Sequence, residues 1–317
     1  MISVAPLTDS TPLLGDDEAL RQRFEDDGVL YLRGIMDPDM MRWAEEHYRE
    51  ALAAEGLIDL ANEAPVWTGK TSDTWRPCDA IGTKVWHEIV KQPKINEILR
   101  ILFGADPVWL PIAAHRSAFP TGPLKEGEYL FAAQHQDAFY NEGMNSTICW
   151  MPVRDLPDMN SGGFALAPGT HKRGVMHSKD LENYRIPDGC IDESEWRAAV
   201  YKVGDVVIFR DDTAHAPLPN LSNEFRLSLD IRVNSSAAAR PVCGTVESVE
   251  GRDVTIRDDE TSDLVTVRVD DDTFIRDMNP HPRIPTDEVE RIAYPGARVL
   301  AMAGDDGMAT VLRRNRY

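Results

Sequence analysis

A histidine and an aspartate one residue apart, His135 and Asp137, are the first residues in this sequence whose types and spacing suggest chemistry. They lie in the segment Phe131-Ala-Ala-Gln-His-Gln-Asp137, which we interpret as a strand. In a strand, residues i and i+2 point to the same face, so this imidazole and this carboxylate would reach one ion. Because the same pair occurs in many proteins that bind no metal there, it indicates a metal site only together with a third ligand.

The third ligand is His215, which follows the apolar run Gly204–Phe209 and the turn Arg210–Ala214. A histidine just past an apolar strand reaches the centre of a double sheet. Two histidines and one carboxylate are the ligand set of a non-haem iron(II) that keeps positions open for a cosubstrate and oxygen. The sequence therefore predicts an iron(II) site made of His135, Asp137 and His215.

An arginine completes the set eleven residues after His215, within the strand-like run Phe225–Arg232. Alternation along this run places Arg226 and Ser228 on one face and apolar residues on the other. A planar guanidinium pairs bidentately with a carboxylate, which is what the distal carboxylate of 2-oxoglutarate requires. The alternative is that Arg226 forms a structural ion pair with one of the many acidic residues.

The elements that must position these residues change in type along the chain. An early part contains two predicted helices, Asp16–Glu25 and Asp37–Leu52, with a buried strand after Gly28 between them. From Val108 onward, short apolar runs rich in β-branched residues are separated by Gly, Pro, Asn and Asp, as is typical of strands. These runs are Val108–Ile112, Thr147–Val153, Gly163–Ala167, Asp205–Phe209 and Phe225–Val233.

This order predicts a mainly β fold with flanking helices, whose oxygenase core is a double-stranded β-helix, the cupin-like jelly roll. Residues 1–238 would form this domain. Beyond the small-residue stretch near Ala237, further alternating runs predict a second domain over 239–317, a small acidic β-barrel of about five strands that is OB-like by analogy.

The charge of the chain excludes some partners. The 317 residues carry 34 Lys plus Arg against 53 Asp plus Glu, a formal charge of −19, which disfavours nucleic acid and anionic membranes. The N-terminus lacks the features of a secretory signal, and no run approaches the ~18 apolar residues of a membrane span. We therefore expect a cytoplasmic protein with a small-molecule substrate, and a homo-oligomer formed through the C-terminal barrel is a further expectation.

The sequence resembles the phytanoyl-CoA dioxygenase family of iron and 2-oxoglutarate oxygenases, from about residue 13 to 234. The start, Thr11–Asp16, and the strand after Gly28 also resemble bacterial members that hydroxylate terpenoid intermediates and other natural products. The residues that carry the family resemblance are Gln134–Asp137, Trp150, Ser161–His171, Gly204-Asp205, and His215 followed by Arg226.

The resemblance implies that His135, Asp137 and His215 bind iron(II), that Arg226 anchors 2-oxoglutarate with help from Ser228, and that Trp150 lines the cosubstrate pocket. It implies an O2-dependent hydroxylation of an unactivated C–H bond in a small, specialised metabolite, with release of succinate and CO2. A carboxylate at position 137 favours oxygenation over halogenation, because related halogenases carry a small residue there. Two alternatives stay open: a cupin-like metalloenzyme without 2-oxoglutarate, and a non-catalytic binding protein on the same fold.

Overall fold

The structure, a computed structural model, describes residues 2–74, 76–178, 180–181, 185–238, 241–278 and 283–315. The α-helices are Asp17–Asp27 (α1), Pro38–Ala54 (α2), Lys84–Ile89 (α3), Pro93–Phe103 (α4) and Asp137–Tyr140 (α5). Short 3-10 helices span Thr11–Leu13, Pro77–Ile81, Thr170–Arg173, Glu193–Glu195 and Thr286–Arg291. Within the described ranges, no helix has both the length and the apolar character needed to cross a bilayer.

The strands begin early and continue to the C-terminus. They are Ala5–Pro6 (β1), Val29–Leu32 (β2), Pro107–Ala118 (β3), Thr147–Pro152 (β4), Phe164–Leu166 (β5), Arg197–Ala198 (β6), Val206–Arg210 (β7), His215–Pro217 (β8), Arg226–Ser235 (β9), Pro241–Glu250 (β10), Asp253–Asp258 (β11), Leu264–Arg268 (β12), Phe274–Arg276 (β13), Arg298–Ala303 (β14) and Ala309–Arg314 (β15).

The two predicted helices have clear local causes. Helix α1 begins after Asp16, whose side chain accepts a hydrogen bond from the Ala19 amide, and ends at Gly28 in the left-handed conformation. Helix α2 begins after Asp37, whose carboxylate caps the first turn, with Pro38 at the position that tolerates proline. The buried side of α2 carries Met41, Ala44, Tyr48 and Leu52, and the Tyr48 hydroxyl donates to the Ser228 carbonyl of β9 at 2.9 Å.

The chain divides into two compact units. The first comprises residues 1–104, 113–137 and 147–231, and the second comprises 105–112, 138–146 and 232–317. The predicted boundary between 238 and 239 remains a prediction, and Ala239 and Arg240 lie outside the described residues.

The first unit is built on two β-sheets, one five-stranded in the order β2-β7-β4-β9-β3 and one four-stranded in the order β1-β6-β5-β8. Aromatic side chains from both sheets share one core: Trp150 of the larger sheet stacks on Phe164 of the smaller, at 5.1 Å between ring centroids. The two sheets therefore pack face to face. A mainly β fold with added helices is confirmed, and the double sheet is consistent with the predicted jelly-roll core.

The second unit contains a six-stranded sheet in the order β12-β11-β10-β14-β15-β13. Its apolar core is formed by β-branched and aliphatic residues such as Val254, Ile256, Val299 and Leu312. Among the described residues, no ladder joins the two edge strands β12 and β13, so the predicted closed barrel is not confirmed. Alternating residues predict strands, whereas closure depends on tilt and stagger, which the alternation does not encode.

Candidate metal centre and cosubstrate site

The two predicted histidine ligands face each other across an isolated antiparallel bridge. The His135 amide donates to the His215 carbonyl, and the His215 amide donates to the His135 carbonyl, both at 2.9 Å. On its other side His215 pairs with Leu166 of β5, so a regular ladder fixes its backbone. Outside this bridge the segment around His135 is not a strand, and Asp137 begins the single turn of α5. The predicted strand through both residues is therefore reduced to one bridge.

Both imidazole rings are oriented in the same way. His135 Nδ1 lies 2.9 Å from the Ala133 carbonyl, and His215 Nδ1 lies 2.9 Å from the Thr213 carbonyl. A carbonyl oxygen can only accept a hydrogen bond, so each Nδ1 carries a proton, and Nε2 is the nitrogen left to offer a lone pair to a metal. This is the arrangement of metal-binding histidines, whose second nitrogen donates to a neighbouring acceptor.

The third donor lies beside these lone pairs. His135 Nε2 is 3.9 Å from Asp137 Oδ1, and donor atoms of His135, Asp137 and His215 all lie within 4.8 Å of one another. Asp137 and His215 are buried, while His135 is half-buried. Two imidazoles and one carboxylate match the set that binds non-haem iron(II) on one face and leaves the opposite face open. The residues present therefore fit an iron(II) ion.

Gln136, between the two ligands, is a residue whose importance the sequence analysis missed. The residue is 0% exposed. Its amide group donates to the carbonyls of Gly174 (2.9 Å) and Asp212 (2.7 Å) and accepts from the Met176 amide (2.8 Å). Its position offered a signal, because a residue between two ligands on one face points to the other face.

These contacts connect three segments around the metal centre. The backbone N–H of Gln136 also donates to His177 Nε2 at 2.8 Å, so three hydrogen bonds connect residues 174–177 to the ligand segment. Asp212 immediately precedes Thr213, whose carbonyl orients the His215 ring. Gln136 thus joins the segment carrying His135 and Asp137 to the turn that orients His215.

Arg226 is the first residue of β9, a strand that is buried along almost its whole length. Its guanidinium Nη1 donates to the Ser228 hydroxyl, two residues further on the same face. Among the described residues, its Nε has no hydrogen-bond partner. Burial, followed by the nearby positive charge of Arg116, lowers the pKa of Arg226 to about 10.

The nearest carboxylate on the same face of β9 is already engaged. Arg116 Nε donates to Asp230 Oδ2 at 2.7 Å, and Asp230 itself is buried. Removing a cation from water is costly unless an anion compensates it, so the Arg226 site favours a carboxylate ligand. The charge of Asp230 favours the Arg226 cation, but no salt bridge joins the two side chains among the described contacts, so the role of Arg226 stays a prediction.

Trp150 lies on β4 and is buried. It stacks on Phe164, and the Phe164 ring is 5.4 Å from the His215 ring between centroids. Trp150 therefore reaches the metal centre through Phe164, and a direct role in lining the cosubstrate pocket stays a prediction.

The site and the fold define a class, the double-sheet oxygenases with a two-histidine, one-carboxylate metal centre. The model of the phytanoyl-CoA dioxygenase family matches residues 24–228, more than half of the chain. The chain belongs to this family. It is therefore an enzyme, an oxidoreductase, and His135, Asp137 and His215 form its candidate metal centre.

Named relatives are similar over most of their length. The chain is 29% identical to a 1-deoxypentalenic acid 11-beta-hydroxylase of Streptomyces arenae over 254 residues, 73% of this chain and 86% of the relative. It is 27% identical to the enzyme of the same name from Streptomyces exfoliatus over 258 residues, 75% of this chain and 88% of the relative.

A solved structure is also similar: the epimerase SnoN in complex with Fe3+, alpha ketoglutarate and nogalamycin RO. It shares 20% identity and a TM-score of 0.49, with 71% of this chain and 86% of that chain covered.

Proposed function

We propose that this chain is an iron(II)- and 2-oxoglutarate-dependent hydroxylase that oxidises an unactivated C–H bond of a small specialised metabolite. The observation that carries the proposal is the convergence of His135, Asp137 and His215, whose donor atoms lie within 4.8 Å of one another. Iron(II) bound with 2-oxoglutarate supplies the reductive activation of O2, with succinate and CO2 as the products of the cosubstrate.

The three ligands would hold the ion in a defined position. His135 and His215 would bind through Nε2, because each Nδ1 proton is engaged by a backbone carbonyl. Asp137 would add one negative charge and leave the remaining coordination positions to small molecules. This carboxylate also favours oxygenation over halogenation, since a halide would need the space that it takes.

Arg226 would bind the distal carboxylate of 2-oxoglutarate. Its guanidinium is buried, and one of its nitrogens donates to the Ser228 hydroxyl. This hydrogen bond sets the orientation of the guanidinium before the cosubstrate binds. Preorganised donors in a desolvated site stabilise an anion more than the same donors in water. Ser228 would assist by fixing the guanidinium, and Trp150 would form part of the wall behind Phe164.

The reaction type and the substrate class are supported by the relatives. Both Streptomyces enzymes are named as 1-deoxypentalenic acid 11-beta-hydroxylases. We therefore favour hydroxylation of a small molecule over desaturation, epoxidation or cyclisation.

The test begins without oxygen. Iron(II) and 2-oxoglutarate are added to the metal-free protein under anaerobic conditions, and the visible charge-transfer band of the chelate is recorded. We expect the band with the native chain and its loss in Asp137→Ala. A folded native protein without the band would contradict the proposal. Succinate release across a panel of small organic acids, measured next in air, would identify the substrate class.

A further inference from the structure

The chain changes units immediately after the aspartate of the metal centre. Asp137 is the last residue of its segment in the first unit, and residues 138–146 belong to the second unit together with 105–112 and 232–317. The matched family region ends at residue 228, so most of this second unit lies beyond it. Residues 138–146 therefore take their tertiary contacts from the second unit.

Two buried arginines of the second unit bind the start of this segment. Arg276 Nη1 donates to the Tyr140 carbonyl, the last of α5, and lies 3.4 Å from Asn141 Oδ1. Arg313 Nη1 donates to the same Asn141 oxygen at 2.9 Å. Arg276 is 5% and Arg313 is 6% exposed. The last carbonyls of a helix have no hydrogen-bond partners within the helix, and Arg276 donates to one of them.

The rest of the segment packs directly on the C-terminal sheet. Met144 lies in an apolar cluster with Leu300, Met302 and Val311 of strands β14 and β15. Gly143 has a φ of +84°, and a Cβ placed there would lie 2.9 Å from Val311 Cγ2. The backbone at 143 therefore approaches the sheet as closely as only glycine permits.

A single turn of helix has little stability of its own, because its nucleation is unfavourable without tertiary contacts. Helix α5 has four residues, Asp137–Tyr140, so contacts elsewhere must maintain its conformation. The peptide bond between 137 and 138 carries any displacement of this turn directly to the backbone of Asp137.

We propose that the C-terminal sheet fixes the backbone of residues 138–146 and, through it, the position of Asp137. Arg276 and Arg313 are the positioning residues. This inference rests on the proposed function of Asp137 as an iron ligand. It assigns a role to the second unit in metal binding, through residues that make no contact with the ion themselves. A ligand must be held to within a fraction of an ångström for its site to be preorganised.

The experiment uses the full-length protein with Arg276→Met, Arg313→Met and the double substitution. Methionine keeps an unbranched side chain but removes the guanidinium donors. The matched control is Arg314→Met on the same strand, because Arg314 donates to the Ile292 carbonyl and lies over the Tyr294 ring. Amide hydrogen exchange of 138–146 in the metal-free protein and anaerobic calorimetric titration with iron(II) are measured for each.

We expect faster exchange of 138–146 and an iron(II) affinity about 10–100-fold lower in the double variant, the range seen when supporting residues of metal sites are lost. Arg314→Met should change neither quantity by more than about twofold. Asn141→Asp should retain the native affinity, since a carboxylate accepts from both guanidiniums.

Two results would overturn the inference: native iron(II) affinity in a double variant whose segment exchanges faster, or native exchange of the segment in that variant. If the double variant does not fold, Gly143→Ala tests the contact of the segment with the sheet from the other side. We expect the same loss of iron(II) affinity and the same faster exchange. Failure of the proposed function is recognised separately, because the native chain would then bind no more iron(II) than His135→Ala.

Discussion

The metal end and the cosubstrate end of the site are held in different ways. At the metal end, His135 sits on an isolated bridge and Asp137 on a single helical turn, so hydrogen bonds from neighbouring backbone set the geometry. At the cosubstrate end, Arg226 and Ser228 are neighbours on one face of a ten-residue buried strand. The first end depends on specific polar contacts and the second on regular strand alternation, so single substitutions should affect iron and 2-oxoglutarate binding separately.

The largest expected effect is the loss of iron binding in His135→Ala or Asp137→Ala. Either change removes one of three donor atoms, while the apolar core between the two sheets stays intact. We expect iron(II) binding to become undetectable by anaerobic calorimetry, with the circular dichroism spectrum of the native protein. Wild-type iron affinity in either variant would mean that the ligands lie elsewhere.

The second effect should appear only at the other end of the site. In Arg226→Lys the two parallel hydrogen bonds to a carboxylate are replaced by a point charge. Hydrogen bonds to charged groups contribute roughly 1.5–3 kcal/mol, so the 2-oxoglutarate concentration for half-maximal turnover should rise about 10–100-fold. Iron(II) affinity without cosubstrate should not change, and a parallel loss of both would contradict the separation of the two ends.

A smaller effect is expected from Gln136→Met, which removes the amide contacts to Gly174, Met176 and Asp212. We expect iron(II) affinity to fall about tenfold, at the low end of the range for residues that support metal ligands. Gln134→Met is the matched control, because Gln134 is equally buried but donates to the Ile186 and Pro187 carbonyls. Equal losses of iron affinity in both variants would assign the effect to general destabilisation.

The last prediction concerns the stability of the fold and its pH dependence, and it leaves the metal and cosubstrate ends of the site unchanged. His115 on β3 is 0% exposed, lies 5.6 Å from the Tyr48 ring, and neither ring nitrogen has a hydrogen-bond partner among the described residues. Burial lowers the pKa of His115 to about 4, against the opposing effect of the Asp230 charge. The folded state therefore favours the neutral ring.

Because the unfolded chain then binds the proton more readily, stability should fall as the pH drops from about 6.5 towards about 4. The expected loss is about 2 kcal/mol at about pH 5, measured by urea unfolding against about pH 7.5. His115→Leu should remove this part of the pH dependence. An identical pH profile in that variant would show that other groups cause it.

Several features of the site follow from local sequence patterns. Alternation along residues 225–232 predicts that Arg226 and Ser228 share a face, and the structure has them in contact. The predicted strands at Thr147–Val153 and Asp205–Phe209 are confirmed as β4 and β7, because their apolar runs are bounded by turn residues. The predicted convergence of His135, Asp137 and His215 is also found, although a bridge and a helical turn produce it in place of a strand.

The sequence by itself determined the chemistry of the candidate site, since ligand types, the spacing of His135 and Asp137, and strand alternation are local properties. Only the tertiary structure decided how the ligands are held. The bridge between residues 135 and 215, and the contacts of Gln136 with 174–176 and 212, join segments far apart in the chain. The same is true of residues 138–146, which pack with a sheet formed more than a hundred residues later. Such pairings depend on how folded segments meet in space, and no local period or propensity encodes them.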